Sequence, residues 1–270
     1  MNYFEIKPNK FLLPYINCYW TLNGKSDLYY DNTERVLPDG CIELIINFEK
    51  PFEQYCGNGK FEKQPSAFIV GQIKNYKLLK PSCNFDMIGI RFKPAGAFKF
   101  LNFPLDEISS QTVDAELIWG NDLKVLQEKM SDAKLSRRIF LLENFLLEKS
   151  LINKTNLKFI DASVNLINYG KPIFTVEKLA AKLEISKRQI ERNFKQFVGI
   201  PPKTFLKIRR LQNVFKHIQN KKQIDWLTLS YISGYYDQSH FINDFREFSG
   251  MNPSEYLSSK ESLVDYFINK

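Results

Sequence analysis

Five residues in the last third of this chain recur at a single offset. Phe194, Phe197, Gly199, Pro202 and Phe205 are answered by Phe245, Phe248, Gly250, Pro253 and Tyr256, each 51 positions later. Upstream the offset is 50, pairing Leu179 with Leu229 and Ala180 with Ser230, so the second copy's turn, Gly234-Tyr235-Tyr236-Asp237, is one residue longer. A repeat of this kind restricts the chain to folds in which one short fragment is built twice.

The first copy reads as a helix-turn-helix. Thr175 stands at an N-cap position, with Lys178 rather than Glu where a capping box would place an acid. Val176, Leu179, Ala180 and Leu183 line one face at i, i+3, i+4, i+7 spacing, and Ala180 is small where two helices must cross. Ile185-Ser186 breaks the pattern, Ser186 caps a second helix, and Ile190, Phe194 and Phe197 bury one side of it before Gly199 and two prolines end it. The opposite side carries Lys187, Arg188, Gln189, Arg192 and Lys195. These are the side chains that meet phosphate, guanine and adenine on DNA, and equally the composition of a solvated basic face.

Between the copies, Phe205, Ile208, Leu211, Phe215 and Ile218 keep helical spacing from residue 203 to about 219 without a breaker. Such a helix spans roughly 25 Å at 1.5 Å per residue. Two reading helices carried on it reach successive major grooves, about 34 Å apart on one face of the duplex.

Residues 157–260 closely resemble the AraC-type DNA-binding domain of transcription regulators, in which two helix-turn-helix units, here 175–198 and 226–249, are joined by a long helix. GYYDQSHFINDFREFSGMNPSEY, residues 234–256, is very similar to that family's C-terminal signature. Ser230 stands where Ala is usual, and Glu184 fills a turn position often held by Gly, whose backbone freedom it lacks. The resemblance implies double-stranded promoter or operator DNA as partner. It allows a small-molecule effector, RNA polymerase and a second copy of the chain as further ones, and activation is the commoner outcome among such regulators.

On this reading Lys187, Arg188, Gln189 and Arg192 approach base edges and phosphates in one groove, with Lys195 on the flank. In the second unit Gln238, Ser239, His240 and Asn243 occupy the start of the reading helix and Arg246 its end. That second set is nearly uncharged, and Asp244 adds a negative charge to it. The first unit is therefore expected to supply most of the electrostatic affinity, and the second to discriminate or to position through its helix N-terminus. Lys207, Arg209, Arg210, Lys221 and Lys222 are candidates for backbone contact or for a solvated face.

Charge placement agrees with a C-terminal polyanion site. Of the net +8, residues 155–270 hold 18 Lys or Arg against 11 Asp or Glu, whereas residues 1–154 hold 20 against 19. A hydrophobic content of 44% with 14% aromatics excludes disorder, and 270 residues suffice for two domains. Cys18, Cys41, Cys56 and Cys83 are widely spread with no Cys-x-x-Cys pair, and His217 and His240 lie in the other half. No metal site or cofactor is expected, and the cysteines are expected as buried free thiols in a reducing cytoplasm. No run approaches the ~18 apolar residues of a membrane span, so a soluble cytoplasmic protein without a membrane partner is expected. No cysteine adjoins a histidine, and there is no Gly-rich phosphate loop, His-Glu-x-x-His run or nucleophile elbow, so no catalytic residue is expected. A pure protein-interaction scaffold would have no use for the one-sided excess of positive charge.

The first half reads mainly as strands at 17–23, 41–48, 67–70, 76–80 and 85–92, punctuated by Pro38-Asp39-Gly40, Gly57-Asn58-Gly59 and Lys80-Pro81-Ser82. Pro38 to Cys41 reads as a tight turn ahead of a buried strand rather than as a site. From Pro94 the period changes: helical stretches are expected at 95–101, 106–110, about 122–130 and 136–149, the last with Ile139, Leu142, Phe145 and Leu146 as an apolar stripe. Residues 151–156 are the expected linker. RVLPDGCIELIINF (35–48) and IGIRFKPAGAFKFL (88–101) resemble the N-terminal domain of one branch of AraC-type regulators, which implies a sensing role. Tyr15, Tyr19, Trp20, Tyr29, Tyr30 and Phe48 could line a pocket or fill a core, and the stripe on 136–149 could dimerise or pack on its own domain. The expected fold class is thus α+β. A sensor-like β-rich barrel or sandwich with appended helices is expected over 1–152, as an effector-binding or dimerisation domain, and an all-α double helix-turn-helix domain over 157–260.

Overall fold

Period-two alternation builds the first half. In the computed structural model, which describes residues 2–25, 33–170, 175–218 and 224–258, it forms two antiparallel sheets. The larger runs β1 (Asn2–Ile6), β2 (Ile16–Lys25), β9 (Asn84–Phe92), β4 (Glu43–Asn47), β7 (Ala67–Val70) and β10 (Thr112–Asp114). The smaller runs β3 (Glu34–Val36), β8 (Lys77–Lys80), β5 (Glu53–Gly57) and β6 (Lys60–Lys63). Leu44, Ile46, Ile69, Ile88 and Ile90 point from the large sheet into the main core, while Trp20, Leu22 and Met87 point the other way and pack with Phe52 and Phe85. Both faces of the large sheet are covered, so its strands are apolar on both sides. Trp20 pairs with Gly89 across β2 and β9, and a Cβ added at residue 89 would fall 1.9 Å from the indole. Only glycine lets that ring lie over the neighbouring strand.

Five strands were not legible in the sequence. β3 and β10 are three residues long, β1 is an edge strand, and β5 and β6 are polar and largely exposed, so none carries an apolar alternation. The helical expectations shift as well. The stretch at 95–101 contracts to α1 (Phe98–Leu101), and 106–110 becomes a single 3₁₀ turn, Leu105–Ile108. α2 (Glu116–Met130) begins earlier than expected, because its first turn is separated by a kink at Gly120, φ 53°, which interrupts the periodicity. α3 (Leu135–Ile152) buries Leu142, Phe145 and Leu146, with Phe145 edge-on to Trp119 of α2 at 5.4 Å. Its stripe packs on its own domain.

The expected linker is not a free tether. Leu151 and Ile152 finish α3, and the side chain of the buried Asn153 donates to the Phe98 carbonyl at 2.7 Å and accepts from the Thr155 amide at 2.9 Å. The Lys99 ammonium donates to the Asn153 carbonyl. The chain then continues through α4 (Lys158–Tyr169), α5 (Val176–Leu183), α6 (Lys187–Val198), α7 (Pro202–Ile218), α8 (Trp226–Ile232), α9 (Gln238–Ser249) and α10 (Pro253–Ser258).

α7 is the centre of the second half. Phe205, Ile208, Leu211, Val214 and Phe215 are at most 1% exposed, and the core they share runs without a break into Leu105, Ile108 and the large sheet. The Pro38–Cys41 turn is a turn, as expected, and also the seat of α7. Gln212 donates to the Pro38 carbonyl at 2.7 Å, and Gly40, at φ 80°, lies where a Cβ would sit 2.9 Å from the Phe205 ring. The Asn153→Ala variant removes two hydrogen bonds beside this junction and is expected to lower unfolding stability by about 1–2 kcal/mol. Urea denaturation followed by circular dichroism checks it, with the slope in denaturant unchanged.

Candidate nucleic-acid interface and the cavity behind it

The two helices of the first unit are set by local chemistry. The Thr175 hydroxyl accepts from the Lys178 amide, and the Ser186 hydroxyl from the Gln189 amide, each at 3.2 Å. Glu184 adopts the left-handed conformation at φ 55° that lets α5 stop and α6 start. Val176, Leu179, Ala180, Ile190 and Phe194 are buried between them. On the open side of α6, Lys187, Arg188, Arg192 and Lys195 are exposed and Gln189 is half-buried. Arg192 donates to the Gln189 side-chain oxygen at 2.9 Å, and Gln189 donates to Asn193 at 3.3 Å, so this row is ordered before any partner arrives. Lys187 reaches Glu177 of α5 at 2.7 Å, and this contact holds the Glu177 carboxyl down at about 2. Both groups are more than half exposed, so the pair is weak and can open. Glu191, which the sequence reading did not place on this side, is exposed there too.

The second unit repeats the arrangement with different chemistry. Asp225 caps α8 through the Leu227 and Thr228 amides, and Asp237 caps α9 through the His240 amide at 2.7 Å. Gln238, Ser239, Asn243 and Arg246 are exposed, and His240 is half-buried with its ring edge-on to Tyr235 at 5.4 Å. Arg246 donates to the Asn252 side chain, so its guanidinium is held at the α9–α10 corner.

Asp244 does not add its charge to this surface. Its side chain is 4% exposed and turned inward, 2.8 Å from the Lys207 ammonium and 3.6 Å from His240. Residue 244 follows Phe241 at i+3, which places it on the buried side of α9. Lys207, a candidate for DNA-backbone contact or for a solvated face, is spent on Asp244 and on Glu247 at 3.0 Å. Arg209 and Arg210 are half-buried, the latter over the Tyr235 ring at 5.6 Å. Lys221 and Lys222 lie outside the described residues.

The first half holds the far ends of both reading helices. Phe197 stacks edge-on against Phe98 at 4.7 Å, and Gly199, closing α6, abuts the Leu105 carbonyl. Arg35 donates to the Ser249 carbonyl at 2.6 Å, and Gly250, closing α9, abuts Tyr76. The starts of α6 and α9 stay uncovered.

Between the two sheets lies a cavity lined from both of them. Trp20 lines it; Tyr19 belongs to the main core, Tyr15 packs on Phe100 at 5.9 Å, Phe48 lies under Arg138 at 3.6 Å, and Tyr29 and Tyr30 are outside the described residues. Arg91, Glu43, Asp39 and Lys77 also line it, together with Gln212 of α7. Arg91 is paired with Glu43 at 2.7 Å and Asp39 at 3.5 Å. The four cysteines are unbonded; Cys56 and Cys83 are exposed, not buried as expected, because the β5–β6 hairpin and the loop before β9 lie at the rim. Among the described residues no group of three His, Cys, Asp or Glu is arranged to hold a metal ion, and no helix is long and apolar enough to cross a membrane.

Residues 179–259 match a family described as a helix-turn-helix domain, and residues 4–114 match a domain of unknown function (DUF6597). No curated protein matches. Among solved structures the chain is similar to ToxT from Vibrio cholerae, at 14% identity over 88% of this chain and 97% of that one, TM-score 0.48. ToxT bound to an unsaturated fatty acid gives 14% identity over 95% and 93%, TM-score 0.47. The C-terminal domain of the response regulator yesN from Fusobacterium nucleatum gives 22% identity over 36% and 95%, TM-score 0.34.

Replacing Lys207 by Met leaves Asp244 buried without its main partner and is expected to destabilise the protein by about 3 kcal/mol. Adding Asp244→Asn to the same chain restores most of that loss. Thermal unfolding of the single and double variants measures both steps.

Proposed function

We infer, from the AraC-type helix-turn-helix domain that this chain carries, that it is a sequence-specific DNA-binding transcription regulator whose two units read successive major grooves. The observation that carries this reading is the pair of capped helices, α6 and α9, with uncovered polar starts in one chain, joined by the 17-residue α7. We assign DNA contact in the first unit to Lys187, Arg188, Gln189, Arg192 and Lys195, and in the second to Gln238, Ser239, His240, Asn243 and Arg246. The first set supplies long-range attraction because four of its five members are cationic. The second, with Asp244 turned inward, presents apart from Arg246 largely neutral donors and acceptors suited to base edges.

Residues 157–260 form the DNA-binding domain in this reading, with units at 175–198 and 226–249, and residues 1–152 form the sensing domain. What supports sensing is the cavity between the sheets, whose lining includes Gln212 of the DNA-binding half. RNA polymerase, a second copy of the chain and a cytoplasmic location belong to the same reading. No catalytic role is assigned: burial pushes the Cys41 thiol well above its ordinary range, away from a reactive thiolate.

Selection of genomic fragments by the purified chain, followed by titration against salt, tests the proposal. A fragment preferred over random DNA, with affinity falling steeply as salt rises, is expected. On that fragment Arg192→Ala weakens binding by roughly 1–3 kcal/mol and relaxes one position, while Lys195→Ala lowers the salt slope by about one for all sequences alike. Equal retention of every fragment, insensitive to salt, sinks the reading.

A further inference from the structure

We propose that the cavity between the two sheets binds an apolar monocarboxylic acid, its hydrocarbon body against Trp20, Phe52, Phe68 and Met87 and its carboxylate on Lys77. The proposal rests on the sensing role given above to the N-terminal domain, and it names the ligand class and the anchoring residue.

The argument begins from an unmatched charge. Lys77 lies on β8 in the wall of the cavity, and its ammonium donates to the Thr112 hydroxyl at 2.9 Å and to the Gln54 side-chain oxygen at 3.4 Å, both neutral. Among the described residues no carboxylate forms an ion pair with it. Taking an ammonium out of water without a counter-charge is costly, and burial accordingly pushes this one down to about 8. Near neutral pH it is still mostly cationic, with a third N–H left for a ligand. An anion seated there regains the Coulomb energy that the fold leaves uncollected.

The remainder of the lining decides what else the ligand must be. The other cationic side chain in the cavity, Arg91, is already matched by Glu43 and Asp39 and so offers no second site for an anion. A dicarboxylate or a phosphate ester with two charges is therefore disfavoured. Most of the remaining lining is aromatic or aliphatic, which favours a hydrocarbon body over a sugar or a nucleoside. Gln212, hydrogen-bonded to Pro38 beside Asp39, belongs to the same lining, so a ligand filling the cavity meets the side chain through which α7 is held.

N-Phenyl-1-naphthylamine, an uncharged dye that brightens in apolar cavities, serves as reporter in the full chain, with 4-phenylbutyrate and 4-phenylbutan-1-ol as competitors differing only in the charged end. The wild type is expected to release the dye at roughly tenfold or more lower acid than alcohol, the worth of a charge-assisted hydrogen bond in a dry site. Lys77→Met should abolish that preference while keeping dye affinity, Lys77→Arg should retain it, and Val70→Phe, which narrows the cavity, should weaken dye and both competitors together. A preference for the acid that survives Lys77→Met overturns the anchor, and dye binding indifferent to Val70→Phe overturns the cavity as the site. If the Lys77-dependent preference holds but 4-phenylbutyrate leaves operator affinity unchanged, the binding site stands and the sensing role falls.

Discussion

The burial of α7 is the interaction on which both halves depend. Phe205, Ile208, Leu211, Val214 and Phe215 are withdrawn from water almost completely, and each such side chain contributes roughly 1.5–3 kcal/mol on burial, as an upper figure. The helices on either side are short: α5 has 8 residues, α8 has 7, and helices of that length do not persist alone. They exist because α7 gives each pair an apolar surface to close on. Phe205 meets Phe194 of the first unit at 5.8 Å, and Phe215 meets Phe245 of the second at 5.5 Å. One helix therefore fixes both units.

The same helix ties the second half of the chain to the first. Its partners there are backbone groups of a turn, the Pro38 carbonyl and the close approach at Gly40, and backbone contacts of this kind tolerate little displacement. Both reading helices are held at their ends, by Leu105 behind α6 and Arg35 behind α9, while their starts are left to solvent. Side-chain caps from Ser186 and Asp237 satisfy amides at those starts, so exposure there does not leave the backbone wanting partners. A movement of the Pro38–Cys41 turn would be transmitted to the whole DNA-binding half through a dry core, where displacement is costly.

Electrostatics divides by burial. Lys187 and Glu177 are close but bathed in water, so little stability is at stake in that pair. Lys207 and Asp244 are equally close with the carboxylate 4% exposed, and separating them leaves a desolvated charge. Distance alone would have ranked the two pairs together. Lys77 is the third case, a desolvated cation with neutral hydrogen-bond partners.

The sequence alone determined what is local. The repeat of Phe194 to Phe205 at Phe245 to Tyr256, the caps at Thr175 and Ser186, the left-handed turn at Glu184 and the unbroken periodicity of α7 depend on neighbours within a few residues. So do the strands with both faces apolar. Polar or three-residue strands such as β6 and β10 carry no such signal, because they are held by partners and not by their own pattern. Only the tertiary structure decided that Asp244 turns toward Lys207, that Asn153 pins the expected linker, that Arg35 reaches a carbonyl 214 residues away, and that Lys77 faces the cavity without a counter-charge. Each of these is a meeting of residues far apart in the chain, and periodicity and capping report which side of an element is buried but not what it will be buried against.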